Sequence, residues 1–358
     1  MPQLTTYQLT FPHGLHIGAG GVESVEDSLD YVPSDTLFAA LLDTWRHIGR
    51  DVTKIISKEG RPVLRVTSAF PFAGSVRFFP KPVDLQQLFT EATLKKEGAG
   101  KRLKKIRFLS EGLLLKAANG AYLDDALFPE EEYDSPQTGI ALQGGAFWLL
   151  AEEAKNLPKD WPVVPDKWWL LRRKKVFEAQ MAPRVTVDRI NTAPNLFQSE
   201  RVLFNAGCGL WFGAVGELSD LPELLTVLGD AGLGGERTAG YGHFTTTSTD
   251  ILDLPDPQEC AYLLSRWHPK DQTEITLLQR PDSAYKIEAV EGWLRTPDPA
   301  AAQRRKRIWL VAEGSLIDGN PQGDAADVRP EYDAKSGEKI PHPIYRSGFA
   351  VALNWKKR

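Results

Sequence analysis

The first third of the chain carries the hydrophobic spacing of two strands and one helix. Apolar residues recur among Thr and Gln over Gln3–Phe11, which predicts a strand. Apolar side chains fall on one face over Asp35–Ile48, which predicts a helix with Ser34 as its N-cap. The stretch Pro62–Phe70 is again rich in β-forming residues and predicts a second strand.

The same kinds of element recur further along the chain. Patterning predicts a strand over Cys208–Val215, a helix over Asp220–Leu228 and a strand over Tyr241–Thr247. With an insertion at about residues 71–200, residues 1–249 then follow the βαββαβ order of a ferredoxin-like, or RNA-recognition-motif-like, α+β domain.

Residues 250–358 are predicted to form a second domain. Strands are expected near Lys286–Leu294, Ile308–Ile317 and Phe349–Trp355, and a helix near Pro257–Trp267. A reduced copy of the first unit fits this order, although no repeat in the sequence supports it directly. The expected fold class is therefore α+β, with two ferredoxin-like domains, long insertions and glycine-rich loops.

Composition is that of an ordinary globular protein with a modest negative charge. Apolar residues make up 42% and charged residues 25% of the 358 positions, which is enough to bury a core, and the net charge is −4. Any nucleic-acid contact must then use local basic patches or backbone N–H groups. Cys208 and Cys260 have neither zinc nor redox-motif spacing, and with no signal-peptide pattern they predict a reducing cytoplasm.

Gly232–Phe244 contains five glycines between a predicted helix and a predicted strand. Such a backbone can turn several N–H groups to one side and form an anion-binding nest, and an arginine at the same place adds a bidentate phosphate donor. The segment lacks the Gly-Lys-Ser/Thr end of a Walker loop. A glycine-rich turn without a ligand is the alternative. The candidate RNA contacts in this loop are Gly234, Gly235, Glu236, Arg237, Thr238 and Tyr241.

A smaller glycine cluster, Gly18–Gly21, follows the first predicted strand and precedes a helix start. The free N–H groups of a helix N-terminus favour anions. Asp35 opposes direct phosphate binding there and would instead stabilise the helix dipole. Plain capping by Ser34 is the competing interpretation.

Several of these segments together resemble a known family. Leu15-His16-Ile17-Gly18, the stretch from Ser34 to Phe38 and the loop Gly232–Phe244 resemble the CRISPR RAMP proteins. Further segments are similar to the fourth subunit of the type III-A Csm effector complex. These segments are Ala69–Phe72 with Pro80–Pro82, Arg184–Arg189 and Tyr345–Ala350.

The resemblance implies a non-catalytic crRNA-binding subunit with two RNA-recognition-motif-like domains. Such a subunit caps the repeat-derived 5′ handle of the crRNA, docks on the large polymerase-domain subunit and abuts the backbone RAMP subunit. It meets target RNA only indirectly, and no metal, cofactor or membrane is expected. A thumb-like hairpin is predicted at 176–195. The remaining predicted RNA contacts are His16, Gly18, Gly20, Gly21, Ser34, Thr36, Arg184 and Arg189.

Two other classes of function stay open at the level of sequence. One is a RAMP-type crRNA-processing endoribonuclease, with His13 or His16 as general acid or base. The other is a protein-interaction scaffold, since tryptophans are enriched at interfaces. The basic stretch Lys95–Arg107, predicted to be a loop, and the cluster Arg304–Arg307 either line an RNA path or form solvated faces. The tryptophans considered are Trp161, Trp168, Trp169 and Trp211.

Overall fold

The structure is a computed structural model with mixed α+β architecture, which confirms the predicted class. It describes residues 3–18, 27–57, 62–127, 138–165, 167–187, 194–216, 218–294, 303–331, 340 and 342–358. The helices are α1 Ser34–His47, α2 Glu91–Lys95, α3 Ala99–Lys105, α4 Glu111–Ala118, α5 Asp124–Leu127, α6 Leu221–Ala231 and α7 Gln272–Leu277.

Most strands belong to one large sheet, and the rest form a small sheet and three ribbons. The strands are β1 Gln3–Thr10, β2 Arg65–Val66, β3 Phe70–Ala73, β4 Val76–Pro80, β5 Phe108–Ser110, β6 Gly139–Leu142, β7 Phe147–Leu150, β8 Phe177–Val187, β9 Pro194–Phe204, β10 Cys208–Val215, β11 Thr245–Asp253, β12 Cys260–Leu263, β13 Ile287–Val290, β14 Ile308–Val311, β15 Leu316–Asp318, β16 Ala325–Asp327, β17 Tyr345–Ser347 and β18 Ala352–Trp355.

The large sheet has the order β11-β1-β10-β3-β4-β5-β7-β6, with β2 also paired to β10. Its first four strands, with α1 after β1 and α6 after β10, follow the predicted βαββαβ order. β1 lies between β10 and β11 and is antiparallel to both. The insertion does not form a separate body, because β4 to β7 extend this same sheet.

Both faces of the sheet are covered, so the interior strand β10, between β1 and β3, is buried almost throughout. On one face Tyr7, Leu9 and Phe212 pack with the apolar sides of α1 and α6. On the other face Trp211 packs with residues of the insertion and of the C-terminal region. The glycine loop and the end of β1 therefore sit on a rigid, two-sided scaffold.

The C-terminal region differs from its predicted pattern at one element. The helix predicted near Pro257–Trp267 is wrong, because Cys260–Leu263 forms strand β12 between β15 and β18. A short, continuous apolar run suits a buried strand and a buried helix equally well until its neighbours are known. Residues described after position 250 contain one helix, α7, and do not show a complete second βαββαβ unit.

Smaller differences concern element ends and one basic segment. Helix α1 begins at Ser34, with Pro33 rather than Ser34 in the N-cap position. The stretch predicted as a basic loop contains helix α3, in which Leu103 is buried and Lys101 exposed. Ala99 and Leu103 are the buried apolar residues that dock this helix, and its lysines face solvent.

A buried carboxylate joins helix α1 to the C-terminal region. Asp35 is fully buried, and its two oxygens face Arg346 Nη1 (2.8 Å) and Arg266 Nη1 (3.4 Å). The hydroxyl of Ser34 accepts a hydrogen bond from the Arg266 backbone N–H (2.9 Å). Asp35 thus serves a contact between distant parts of the chain, beyond the helix-dipole role expected from its position.

The buried network extends to two further carboxylates. Arg266 lies 2.6 Å from Glu288 and 3.6 Å from Glu313. Burial acts to lower the pKa of Arg266, but Glu313 and Asp35 outweigh it and the pKa is raised. Burial raises the pKa of Glu313, against the opposing effects of Arg266 and of Ser68, whose hydroxyl donates to its carboxylate. Charges buried in this way are stable only as a complete set.

Replacing Asp35 with alanine should strongly destabilise the protein. The change leaves two buried guanidinium groups without their shared counter-ion, and breaking a buried ion pair costs about 3–5 kcal/mol. Urea unfolding of the Asp35→Ala variant measures the loss. Asp43→Ala, on the exposed side of the same helix, is the control, for which about 1 kcal/mol or less is expected. Equal losses in the two variants would contradict the role of Asp35.

The two cysteine thiols should not react with alkylating reagents in the folded protein. Both are buried free thiols, and burial raises the pKa of each to about 12. Since the thiolate is the reactive form, almost none is present at pH 8. Alkylation with iodoacetamide at pH 8 should label neither cysteine natively and both in denaturant. Rapid native labelling of either one would be inconsistent with its burial.

Candidate nucleic-acid interface

The glycine loop folds back onto the segment that follows β1. The N–H of Gly235 donates to the His16 carbonyl (2.9 Å), and the N–H of Gly242 donates to the Gly14 carbonyl (2.9 Å). A Cβ atom at Gly234 would stand 2.3 Å from the His16 carbonyl oxygen. The prediction that the Gly235 amide is open to a phosphate is therefore wrong, because this N–H already holds the loop in place.

The tip of the loop is a single 3₁₀ turn, Arg237–Ala239, between two residues in the left-handed region. These residues are Glu236 (φ 54°) and Gly240 (φ 87°). Thr238 is exposed at this tip, while Arg237 is half-buried and its Nη1 donates to the Gly232 carbonyl (3.3 Å). One donor of Arg237 thus braces the loop, and an arginine has four more N–H donors to offer.

Two arginines from the β8–β9 ribbon enclose the ring of Tyr241. The guanidinium carbons of Arg184 and Arg201 lie 4.7 and 5.4 Å from the ring centroid. Arg201 also donates to the Tyr241 hydroxyl (3.3 Å) and to Gln180 Oε1 (2.6 Å). Tyr241 is only 5% exposed and its ring lies beside the two arginines, so the predicted stacking of an RNA base on it would require the ring to be uncovered.

Arg184 keeps most of its hydrogen-bonding capacity. Its Nε and Nη2 are buried and have no hydrogen-bond partner among the described residues, and the Glu236 carboxylate lies 3.9 Å from Nε. A guanidinium with unsatisfied N–H groups has the planar fork that recognises a phosphate, once its side chain turns toward solvent. Arg184 and Glu236 are thus two predicted contacts that the fold brings together.

His16 is a support for the loop and not an exposed contact. It is 8% exposed, and its Nδ1 lies 2.6 Å from the Glu200 carbonyl oxygen. The Glu200 carboxylate accepts a hydrogen bond from the Ser28 backbone N–H (2.8 Å). Ser28 also forms an isolated antiparallel β-bridge with Gly18, which is exposed. The prediction that His16 itself touches RNA is corrected by its burial.

The start of α1 does not form the expected anion site. Ser34 is buried and its N–H donates to the Ser68 hydroxyl (2.8 Å), while the N–H groups of Thr36 and Leu37 both donate to the Pro33 carbonyl. The prediction of Ser34 as an RNA contact is wrong, since Ser34 faces the C-terminal region. Thr36 is half-buried in the same turn. The predicted contacts Gly20, Gly21 and Arg189 lie outside the described residues.

Arg201 is a member of this site that sequence reasoning missed. It lies opposite Gln180 in the β8–β9 register, and Arg184 lies opposite Phe197. Only the pairing of the two strands brings both arginines to Tyr241. No group of three or more His, Cys, Asp or Glu side chains suited to a metal occurs in the part of the chain that the structure describes.

Comparison with known proteins agrees with this architecture. The family model of the RAMP superfamily matches residues 8–245. The chain therefore belongs to the RAMP superfamily. A second family model, the CRISPR Csm4 C-terminal domain, matches residues 256–355, and within the superfamily the chain is a Csm4-type RAMP protein.

Individual relatives and solved structures point the same way. The Csm4 protein of Mycobacterium tuberculosis is 24% identical over 92% of this chain and 91% of its own length. That of Thermococcus onnurineus is 22% identical over 82% of this chain and 84% of its own.

Two solved structures share the fold over nearly the whole chain. A Csm3–Csm4 subcomplex of the type III-A CRISPR-Cas interference complex matches with a TM-score of 0.60 at 16% identity, covering 99% of this chain and 100% of that one. A Csm1–Csm4 cassette with AMPPNP matches with a TM-score of 0.54 at 16% identity, over 99% and 98%. No helix in the described part of the chain has both the length and the hydropathy needed to cross a bilayer.

An alanine at Gly234 should displace the glycine loop, whereas one at Gly240 should not. Both glycines have positive φ, so each substitution costs about 1–2 kcal/mol of backbone strain. Only the Gly234 methyl would also meet the His16 carbonyl, and such overpacking adds about 1–3 kcal/mol. Thermal unfolding of the two variants compares these costs. Equal stabilities would show that the close approach at Gly234 is unimportant.

Proposed function

We propose that the chain is the crRNA-binding subunit of a type III-A Csm interference complex and holds the 5′ handle of the guide RNA. The observation that carries the proposal is the pair Arg184 and Arg201 fixed on Tyr241, beside the exposed tip of the glycine loop. We call this arrangement the arginine clamp.

The arginine clamp fits a sugar–phosphate chain better than a base. Its aromatic ring is 5% exposed and lies against two guanidinium groups, which leaves little surface for base stacking, while two buried N–H groups of Arg184 lack a partner. Thr238 is exposed next to it and adds a small, hydrogen-bonding side chain. A local clamp of this kind also explains how a chain of net charge −4 can bind RNA.

The β8–β9 ribbon is proposed to be the thumb at the junction of handle and guide. It pairs continuously from Phe177↔Phe204 to Val187↔Pro194 and contains the predicted segment 176–195 in large part. Met181 and Val185 are 48% and 57% exposed on it. Apolar side chains on a protruding ribbon are suited to displacing a base from a stack.

The proposed assembly follows from what relatives form. Csm4 proteins have been solved with Csm3 and with Csm1, and by analogy this chain would contact a backbone RAMP subunit and the large polymerase-domain subunit. We propose two RNA-recognition-motif-like domains, 1–249 and 250–358, a cytoplasmic location, and contact with target RNA only through the complex. We also propose that the subunit is non-catalytic.

The competing endoribonuclease has weak support. A general acid or base must reach the proton that it transfers. His16 is buried with its Nδ1 beside the Glu200 carbonyl, and Tyr241 is enclosed by two arginines. His13 is exposed on the turn after β1, with no charged partner among the hydrogen bonds and ion pairs of the described residues.

Arg184→Ala should weaken binding of a labelled 5′-handle RNA. Losing a charge-assisted contact to phosphate predicts about a tenfold rise in Kd at moderate salt. It should also reduce the slope of log K against log salt by about 0.7, the value for one phosphate contact of a single strand. Fluorescence anisotropy of the RNA with the purified chain, alone and with its large subunit, measures both quantities.

Two further variants make this test specific. Arg184→Lys keeps the charge but loses the planar fork, so it should fall between wild type and alanine. Arg46→Ala removes an exposed arginine from the last turn of α1 and should leave Kd unchanged. Unchanged binding by Arg184→Ala, or equal losses in Arg184→Ala and Arg46→Ala, would overturn the arginine clamp. Cleavage of the RNA that stops in His16→Ala would instead support the endoribonuclease.

A further inference from the structure

A cleft of about 270 Å³ opens where three parts of the chain meet: the strand and helix ends of the insertion, the first domain and the C-terminal region. None of its lining residues belongs to the arginine clamp. The cleft is lined by Tyr31, Phe70, Pro80, Lys81, Lys104, Ile106, Arg107, Phe108, Lys286, Glu288, Ala312 and Glu313.

Four cationic side chains line the cleft, and two of them are already paired. Arg107 is bound to Asp30, and Lys286 Nζ lies 2.8 Å from Glu288. Lys81 instead donates to the main-chain carbonyl of Leu103 (3.0 Å), at the end of helix α3, and burial lowers its pKa. A half-buried ammonium group whose partner is a neutral carbonyl has much to gain from an anion.

Lys104 adds a second cation on the solvent side. It lies in the last turn of α3, is exposed, and lines the cleft together with Lys81. An anionic group held there would be reachable from solvent and would have two donors of charge-assisted hydrogen bonds.

The inner part of the cleft has a different character. Phe70 and Phe108 are almost fully buried, and the Phe108 ring already packs against Phe147 (4.9 Å) and Arg107 (5.4 Å). Pro80, Ile106 and Ala312 add apolar lining. Glu313 is buried, Glu288 is partly exposed, and both carboxylates lie beside Arg266. A carboxylate only accepts hydrogen bonds, and two oxygens provide more acceptor positions than the two ion pairs of Glu288 occupy.

We propose that this cleft binds one nucleotide unit, with an amino-bearing base inside and its phosphate between Lys81 and Lys104. The base would lie along the apolar lining with its exocyclic amino group toward Glu288, as carboxylates accept from amino groups of bases. The volume is just below the lower limit of about 300 Å³ for small-molecule sites, which admits no ligand larger than a single nucleotide. The ligand is either a nucleotide of an RNA strand or a free mononucleotide.

Calorimetric titration of the full-length chain with AMP, UMP and inorganic phosphate tests the ligand chemistry. AMP should bind about tenfold more tightly than UMP, which has no amino group to meet Glu288. It should likewise bind more tightly than phosphate, which cannot use the apolar walls. No binding of AMP, equal binding of AMP and UMP, or equal binding of AMP and phosphate would each overturn the proposal.

A matched pair of lysine variants on helix α3 tests the location. Lys104→Met should weaken AMP binding about tenfold, while Lys101→Met, an exposed lysine outside the cleft lining on the same helix, should not. Both variants change solvent-facing positions, so both are expected to fold, and their thermal unfolding confirms it. AMP affinity that is unaffected by Lys104→Met, or affected equally by Lys101→Met, places the ligand elsewhere and overturns the proposal.

The two sources of the nucleotide are separated with a short oligoadenylate. If the ligand is part of an RNA strand, the oligonucleotide displaces AMP, and Lys104→Met weakens its binding. If the ligand is a free nucleotide, AMP binds and the oligonucleotide does not compete. Arg184→Ala should leave AMP binding unchanged in either case, so failure of the arginine clamp and failure of this cleft give different results.

Discussion

The buried Asp35 carboxylate is the interaction on which the arrangement of the molecule depends. It lies at the start of the first helix, yet both of its partners, Arg266 and Arg346, come from the C-terminal region. Two further carboxylates, Glu288 and Glu313, lie beside Arg266. Removing so many charges from water is costly, and the cost is offset only when every member is in place. The network therefore specifies one orientation of the C-terminal region on the first domain. The interdomain cleft depends on it directly, because Glu288 and Glu313 belong to both.

A second constraint builds the arginine clamp. The glycine loop lies so close to the main chain after β1 that no side chain fits at Gly234, and the Gly235 amide is used to hold it there. Glycine in this loop thus provides close packing of protein against protein, where an open anion nest was expected. The structural consequence is that Tyr241 is held in place with two arginines of a neighbouring ribbon beside its ring, which is the arrangement proposed to contact RNA. Donors that are already held in position lose little conformational entropy on binding.

Features that depend on neighbouring residues could be predicted from the sequence, whereas features that depend on contacts between distant segments could not. The order β1, α1, β2, β10, α6, β11 was predictable, because apolar periodicity is a property of neighbouring residues. The glycine loop was recognisable for the same reason. Most elements of the insertion were not predicted, and helix α3 was expected to be a loop. Cys260–Leu263 was assigned to a helix, since a short apolar run does not reveal whether β15 and β18 will flank it. Arg201 was overlooked, since its place at Tyr241 depends on the pairing of β8 with β9.

By itself, the sequence determined the class of fold, the position of the glycine loop and the likeness to CRISPR RAMP proteins. All three depend on short stretches of sequence that can be interpreted without knowing which other segments pack against them. The tertiary structure alone decided which polar residues are buried and which are free to bind. Ser34 and Asp35 read as exposed helix-start residues until Arg266, 231 positions after Asp35, covers them. Whether a charged side chain is buried depends on which segment packs against it. For Ser34 and Asp35 that segment is distant in the sequence, so the local residue pattern does not reveal the contact.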